Sequence, residues 1–193
     1  MEKSTRMAKK TKPNRRVPGI PATDAVSAGE RIQPETNAGR ILISRPIFEA
    51  TLSELAARSA SWRESAGIWV GTISGDDATV TDVYLHHELC DDRGSALSLE
   101  LTEEAKFALY RTLAASGLKL IALIHTHPED WVGLSPIDER NQICSRIGFC
   151  SLVVPWYGRQ PVQLSSIGFH VRGDSGWRRI PASQISRHLI ITE

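Results

Sequence analysis

His125-Thr126-His127 sets two imidazoles two residues apart. On an extended chain that spacing puts both rings on one side, roughly 6–7 Å apart at Cα, close enough to share one metal ion. Histidine pairs near strand ends also serve as surface or hydrogen-bonding residues, so the pair alone does not decide the matter. Asp138 lies eleven residues beyond His127, after a loop containing Pro128 and Gly133 that can return the chain to the histidines. Two histidines and a carboxylate leave a fourth position for water, the arrangement of a catalytic rather than a structural zinc site. Ser135-Pro136-Ile137-Asp138 equally reads as a helix start, with Ser135 as cap, Pro136 in the first turn and an acid three residues after the cap. An Asp138 carboxylate turned to a metal cannot, on this reading, fully serve as the reciprocal cap.

Other chemistry-bearing residues are weaker candidates. His86, His87 and Glu88 are adjacent, and neighbouring strand residues point to opposite faces, which argues against a second metal cluster. His170 and His188 are lone histidines in apolar surroundings and read as structural. Cys90, Cys144 and Cys150 form no C-x-x-C pair and are odd in number, as expected of reduced core thiols. Trp131, in the loop after the histidines, either lines a substrate groove or is buried against the domain.

The elements that must position these residues follow from periodicity. Ile41-Leu42-Ile43 predicts a short strand, and Pro46 sits where a helix starts, with Phe48, Leu52, Leu55, Ala56 and Ser59 on one face. Residues 67–71 and 78–84 predict a hairpin around Ser74-Gly75-Asp76-Asp77. A helix begins near Thr102, buries Leu101, Ala105, Ala108, Leu109 and Leu113, and stops at Gly117. Leu118 to Ile124 suits a central strand ending at the histidines. A helix from Ser135-Pro136 follows, then strands over 151–154 and 167–171, and Ile180 to Ile191 closes the domain. This pattern predicts an α/β fold, a central mixed β-sheet flanked by helices on both sides.

The chain has 193 residues, enough for one well-buried domain, and 23 basic against 22 acidic residues. Balanced totals argue against nucleic acid or an anionic membrane as partner. Residues 1–38 differ from the rest: Lys3, Arg6, Lys9, Lys10, Lys12, Arg15 and Arg16 crowd a stretch with few large apolar residues, and a basic flexible tail is expected ahead of a domain over 39–193. No stretch approaches the roughly 20 apolar residues that span a bilayer, and the basic N-terminus is not followed by the apolar run of a secretory signal. A cytoplasmic protein is expected.

His125-Thr126-His127-Pro128, seven residues between His127 and Ser135, and two more before Asp138 resemble the JAMM motif of MPN-plus (JAB domain) zinc metallopeptidases, H-x-H-x7-S-x2-D. Upstream, Glu64-Ser65-Ala66-Gly67-Ile68-Trp69-Val70-Gly71 is similar to the family's second landmark, a glutamate just before a Gly-containing apolar strand. Residues 151–158 resemble a strand and turn common in prokaryotic members. The resemblance covers about Ile41 to Val171.

It implies the cytidine-deaminase-like MPN fold and one zinc ion per chain held by His125, His127 and Asp138. It also implies that Glu64 bonds the water in the fourth position and handles its proton, and that Ser135 helps stabilise the oxyanion. Without the family pattern, Glu64 would read as a solvated strand-end residue, with Glu88 and Glu129 as rivals. The implied reaction is hydrolysis of the amide after the C-terminal tail of a ubiquitin-like modifier, in deconjugation or precursor processing. Such enzymes act beside activating and conjugating enzymes, in some cases within bacterial antiviral conjugation systems. Alternatives are a metal-free MPN scaffold, a hydrolase of small-molecule or sulfur-carrier conjugates, and a nucleic-acid adaptor working through the basic tail.

Overall fold

The computed structural model describes residues 39–59, 63–85, 101–140 and 142–193, which all fall within one compact unit, Gln33–Glu193. The basic segment 1–38, His86, His87, Glu88 and Cys90 lie outside the described residues.

Among the described residues eight strands form one mixed sheet: β1 (Arg40–Ser44), β2 (Ala66–Ser74), β3 (Asp77–Leu85), β4 (Lys119–Thr126), β5 (Cys150–Val154), β6 (Gly168–Gly173), β7 (Gly176–Ile180) and β8 (Leu189–Thr192). Their spatial order is β7-β6-β5-β4-β2-β3-β1-β8. β4 runs parallel to β5, and β1 parallel to both β3 and β8; the remaining neighbours are antiparallel. Helix α1 (Arg45–Arg58) covers one face and α2 (Glu103–Ser116) the other, while α3 (Pro136–Arg140) and α4 (Ile185–His188) are short. The central mixed sheet with helices on both sides is the architecture that the periodicity predicts.

Two cores result. Phe48 and Leu55 of α1 join Trp69, Ile124, Leu152 and Val154 on one face, and Leu101, Leu109 and Leu113 join Ile68, Val70 and Phe149 on the other. Successive residues of β2 thus feed opposite cores, as a strand's two-residue period requires. Burial of each such Leu, Ile or Phe contributes about 1.5–3 kcal/mol. α2 opens on Thr102, whose hydroxyl accepts from the Ala105 N–H at 3.2 Å, and closes on Gly117 at φ 71°, a left-handed cap that glycine adopts without strain.

Two expectations are corrected. Ala108 is exposed rather than part of the α2 stripe, because the buried positions 101, 105, 109 and 113 recur strictly at four-residue spacing and Ala108 is rotated off that line. The sheet also extends through β7, whose sequence Gly-Trp-Arg-Arg-Ile lacks an apolar run because, among the described residues, it is an edge strand paired with β6 alone. β8 closes the opposite edge by pairing with β1.

The sheet irregularity that matters most lies in β4. Trp69 pairs with Ala122 and Val70 with Leu120, so Ile121 is an extra residue, and both Ile121 and Ala122 face the α1 core. The bulge resets the alternation. From there Leu123 joins the α2 side and Ile124 the α1 side, which carries His125 onto the α2 face at the strand's end.

Candidate metal centre

His125 sits between Ala66 of β2 and Val153 of β5 and is fully buried; His127 follows the strand and is 4% exposed. The His127 N–H donates to the Val154 carbonyl at 2.9 Å, and its own carbonyl accepts from the Tyr157 N–H at 2.8 Å. The backbone on which both rings stand is therefore pinned to β5 and the turn after it.

Thr126, between them, points to the opposite face and ties that face to the segment before β2. The Thr126 N–H donates to the Ser65 carbonyl at 3.0 Å, and the Ser65 N–H donates to Thr126 Oγ1 at 2.9 Å. Ser59 Oγ lies 3.3 Å from Thr126 Oγ1 and 3.1 Å from Ser65 Oγ. Glu64 immediately precedes this clamp and is half-buried. Burial raises its pKa, both histidines act to lower it and Asp138 to raise it, which places its carboxyl in the same electrostatic neighbourhood as all three. Glu129, the rival glutamate that can be described, is exposed.

Asp138 enters from α3. The Ser135 N–H donates to Asp138 Oδ2 at 2.7 Å and the Asp138 N–H donates to Ser135 Oγ at 3.1 Å, a closed capping box. The same carboxylate turns Oδ1 to His125 Nε2 and Oδ2 to His127 Nε2, each at 3.5 Å. The expected conflict between capping and facing the histidines is thus corrected: a carboxylate has lone pairs enough for both. One ligand atom from each of His125, His127 and Asp138 lies within 4.8 Å of the others. At 3.5 Å the imidazole–carboxylate separations are long for hydrogen bonds and suit groups facing a common point.

The donor set fits a metal ion. His127 Nδ1 lies 3.0 Å from the Trp131 carbonyl, which can only accept, so the proton is on Nδ1 and the lone pair on Nε2 faces the other ligands. Among the described residues His125 Nε2 is buried with no hydrogen-bond partner, which a cation in the cluster would satisfy. Burial opposes charge on His127, yet Asp138, the Trp131 carbonyl and Glu64 together raise its pKa. Burial likewise opposes charge on Asp138, but His125, His127 and Ser135 hold its carboxyl far below the ordinary range. The cluster is anionic at the carboxylate and ready to receive a cation.

The loop from Pro128 to Leu134 forms the wall beside this group. The Trp131 indole stacks on the His127 ring at 5.2 Å and 15°, and is 51% exposed, so it covers the ligand and still faces solvent. Gly133 leaves room for it, since a Cβ there would stand 2.5 Å from the indole. Across the loop, Val132 crosses Gly168 so closely that a Cβ at Gly168 would lie 2.0 Å from the Val132 carbonyl oxygen. A cavity of about 330 Å³ opens beyond this wall, bordered by Asp130, Pro155, Trp156 and Gln160.

The clamp of Ser59, Ser65 and Thr126 and the Trp131 carbonyl are site features that no motif in the sequence marks. Their signals were the hydroxyl residues beside Glu64 and between the histidines. The thiols behave as core groups: Cys144 is partly buried, and burial pushes the Cys150 thiol up to about 12. His188 is tied by Nδ1 to the Gly39 carbonyl at 2.9 Å.

No protein-family model matches the chain. A relative from Sinorhizobium fredii named "Probable metalloprotease y4jG" is 22% identical over 153 residues, 79% of this chain and 94% of its own length. The solution structure of protein DSY2949 from Desulfitobacterium hafniense matches with a TM-score of 0.56 at 19% identity, covering 79% of this chain and 93% of that one. The structural likeness extends over most of the chain and establishes that the mixed α/β fold is shared. Among the described residues, no helix is long and apolar enough to cross a membrane.

Proposed function

We propose that this protein is a zinc metallopeptidase of the JAMM (MPN-plus) type, with the MPN arrangement of sheet and helices. Its substrate on this reading is the amide after the C-terminal tail of a ubiquitin-like modifier. The observation that carries the proposal is the convergence of His125, His127 and Asp138 ligand atoms within 4.8 Å, with the half-buried Glu64 ahead of β2 as the candidate base. The name of the Sinorhizobium fredii relative supports peptidase chemistry.

His125 Nε2, His127 Nε2 and the Asp138 carboxylate would hold the ion. Zinc in such a site supplies Lewis acidity, lowering the pKa of water and polarising a carbonyl. Glu64 takes the proton of the attacking water. Its burial raises its proton affinity toward that task. The water oxygen bonds to the amide carbon, the C–N bond breaks, and the proton passes from Glu64 to the leaving nitrogen. Ser135 Oγ spends a lone pair on the Asp138 N–H, and its own proton remains to be donated to the developing oxyanion. A metal-free scaffold would leave His125 Nε2 facing only the Asp138 carboxylate at 3.5 Å, long for a hydrogen bond, which disfavours that reading.

The test is cleavage of ubiquitin-like proteins fused at the C-terminal tail to a reporter, by zinc-loaded wild type and Glu64→Gln. Wild type should cleave, and Glu64→Gln should be slower by about 10²–10⁴-fold. Cleavage of small-molecule or sulfur-carrier conjugates alone would move the substrate assignment to that class, and no amide hydrolysis at all by zinc-loaded protein would overturn the reading.

A further inference from the structure

Among the described residues, four buried side-chain nitrogens make no hydrogen bond within the protein: Nδ1 and Nε2 of His125, Nδ1 of His170 and Nε1 of Trp177. Such groups are rare because each forfeits its hydration. The metal reading explains His125 Nε2. It does not explain Nδ1, on the other edge of the ring. A histidine that ligates a metal almost always gives its second nitrogen to a partner, which fixes the tautomer and the ring orientation. His127 has the Trp131 carbonyl for this; among the described residues His125 has no such group.

His170 stands in the right place. Strand pairing runs His125–Val153–Gly168 in one row and Leu123–Ser151–His170 in the next row on the same face. His170 therefore sits two strands from His125 and two residues along β6 from Gly168, which ends His125's row. It is 4% exposed, as Ser151 beside it is 3%, so two polar side chains interrupt the apolar sheet face that also carries His125. Its charge state responds to His125 and Asp138, which places it within electrostatic reach of the cluster. Burial, the largest effect, lowers its pKa to about 4 despite a Ser151 backbone hydrogen bond, so the ring is neutral at neutral pH and one nitrogen carries a lone pair.

We propose that a buried water bridges the Nδ1–H of His125 to the Nδ1 lone pair of His170, making His170 the positioning residue of the first metal ligand. The polarity is complementary. Metal ligation through Nε2 leaves His125 Nδ1 as a donor, a water accepts from it, and the same water donates to His170. Buried waters hold two to four such partners, and Ser151 in the same row offers a third. The inference rests on the metal-centre reading for the tautomer of His125, while the water itself can be detected with or without zinc.

The experiment is long-range 1H–15N NMR on histidine-labelled wild type, zinc-loaded and zinc-free, with zinc affinity of His170→Phe and His170→Gln measured by chelator competition. Zinc-loaded wild type should show a slowly exchanging His125 Nδ1–H and His170 protonated at Nε2 only. Both rings should show Overhauser contacts to one long-lived water in either state. His170→Phe, which cannot accept, should bind zinc about 10–100-fold more weakly and lose the protected His125 proton. His170→Gln, which accepts through Oε1, should recover most of both. A His170 protonated at Nδ1, or unchanged zinc affinity and His125 signal in folded His170→Phe, overturns the proposal. If His170→Phe does not fold, the wild-type tautomers and water contacts decide. Failure of wild type to bind zinc would count against the metal centre, and the zinc-free water contacts would still test the bridge.

Discussion

Asp138 closes its helix onto Ser135 through two reciprocal hydrogen bonds, at 2.7 and 3.1 Å, while the same carboxylate faces both histidines at 3.5 Å. Capping and metal binding are therefore separable by substitution. Asp138→Asn keeps an acceptor for the Ser135 N–H but loses the charge, whereas Asp138→Ala loses both. Urea unfolding of the zinc-free proteins should find Asp138→Ala less stable than Asp138→Asn by about 1 kcal/mol, with zinc binding impaired in both.

Ser135→Ala separates the two roles of the hydroxyl. Loss of the cap should cost about 1 kcal/mol of stability, and loss of the oxyanion donor about 10²–10³-fold in kcat. Zinc content should be retained. A variant with lowered stability and unchanged kcat would confine Ser135 to capping.

Gly168 sits under the loop that carries Trp131, and its missing Cβ is what lets Val132 cross β6. Gly168→Ala forces the loop backbone to move, because the atom it meets is a carbonyl oxygen rather than a flexible side chain. We expect about 1–3 kcal/mol of destabilisation in chemical unfolding. Zinc affinity should fall as well, since the shifted loop takes the Trp131 carbonyl away from His127 Nδ1.

Much of the site was legible because its residues are close in sequence and sit at element ends. The His125–His127 spacing encodes one strand face, and the Ser135–Asp138 spacing encodes a helix start, so local rules place both. The Ile121 bulge that sends His125 to the α2 face has no local signature, since Leu120, Ile121 and Ala122 read as one apolar run. β7 carries no strand signature in the sequence because Arg178 and Arg179 stand where an apolar run would mark one. His170 read as structural because its significance depends on sheet order, which joins residues 125, 153 and 168 in one row.

His170 also predicts an acid dependence. Its folded pKa of about 4 lies below an unfolded value of about 6.5, so below 6.5 the unfolded chain binds more protons. The contribution is complete above about pH 6.5 and is lost as pH falls toward 4. His127, with its raised pKa, has the opposite sign, its contribution being lost as pH rises. Comparing wild type with His170→Gln cancels the His127 contribution and isolates that of His170. Between pH 7.5 and 5, zinc-free wild type should lose about 2 kcal/mol more in urea unfolding than the variant.

Zinc content per chain tests the central claim most directly, measured by elemental analysis after zinc resupply and desalting on wild type, His127→Ala, Asp138→Ala and Glu64→Gln. The account predicts about one zinc in wild type and in Glu64→Gln, and loss in His127→Ala and Asp138→Ala. Zinc-free wild type, or an undiminished metal content in both ligand variants, would contradict it.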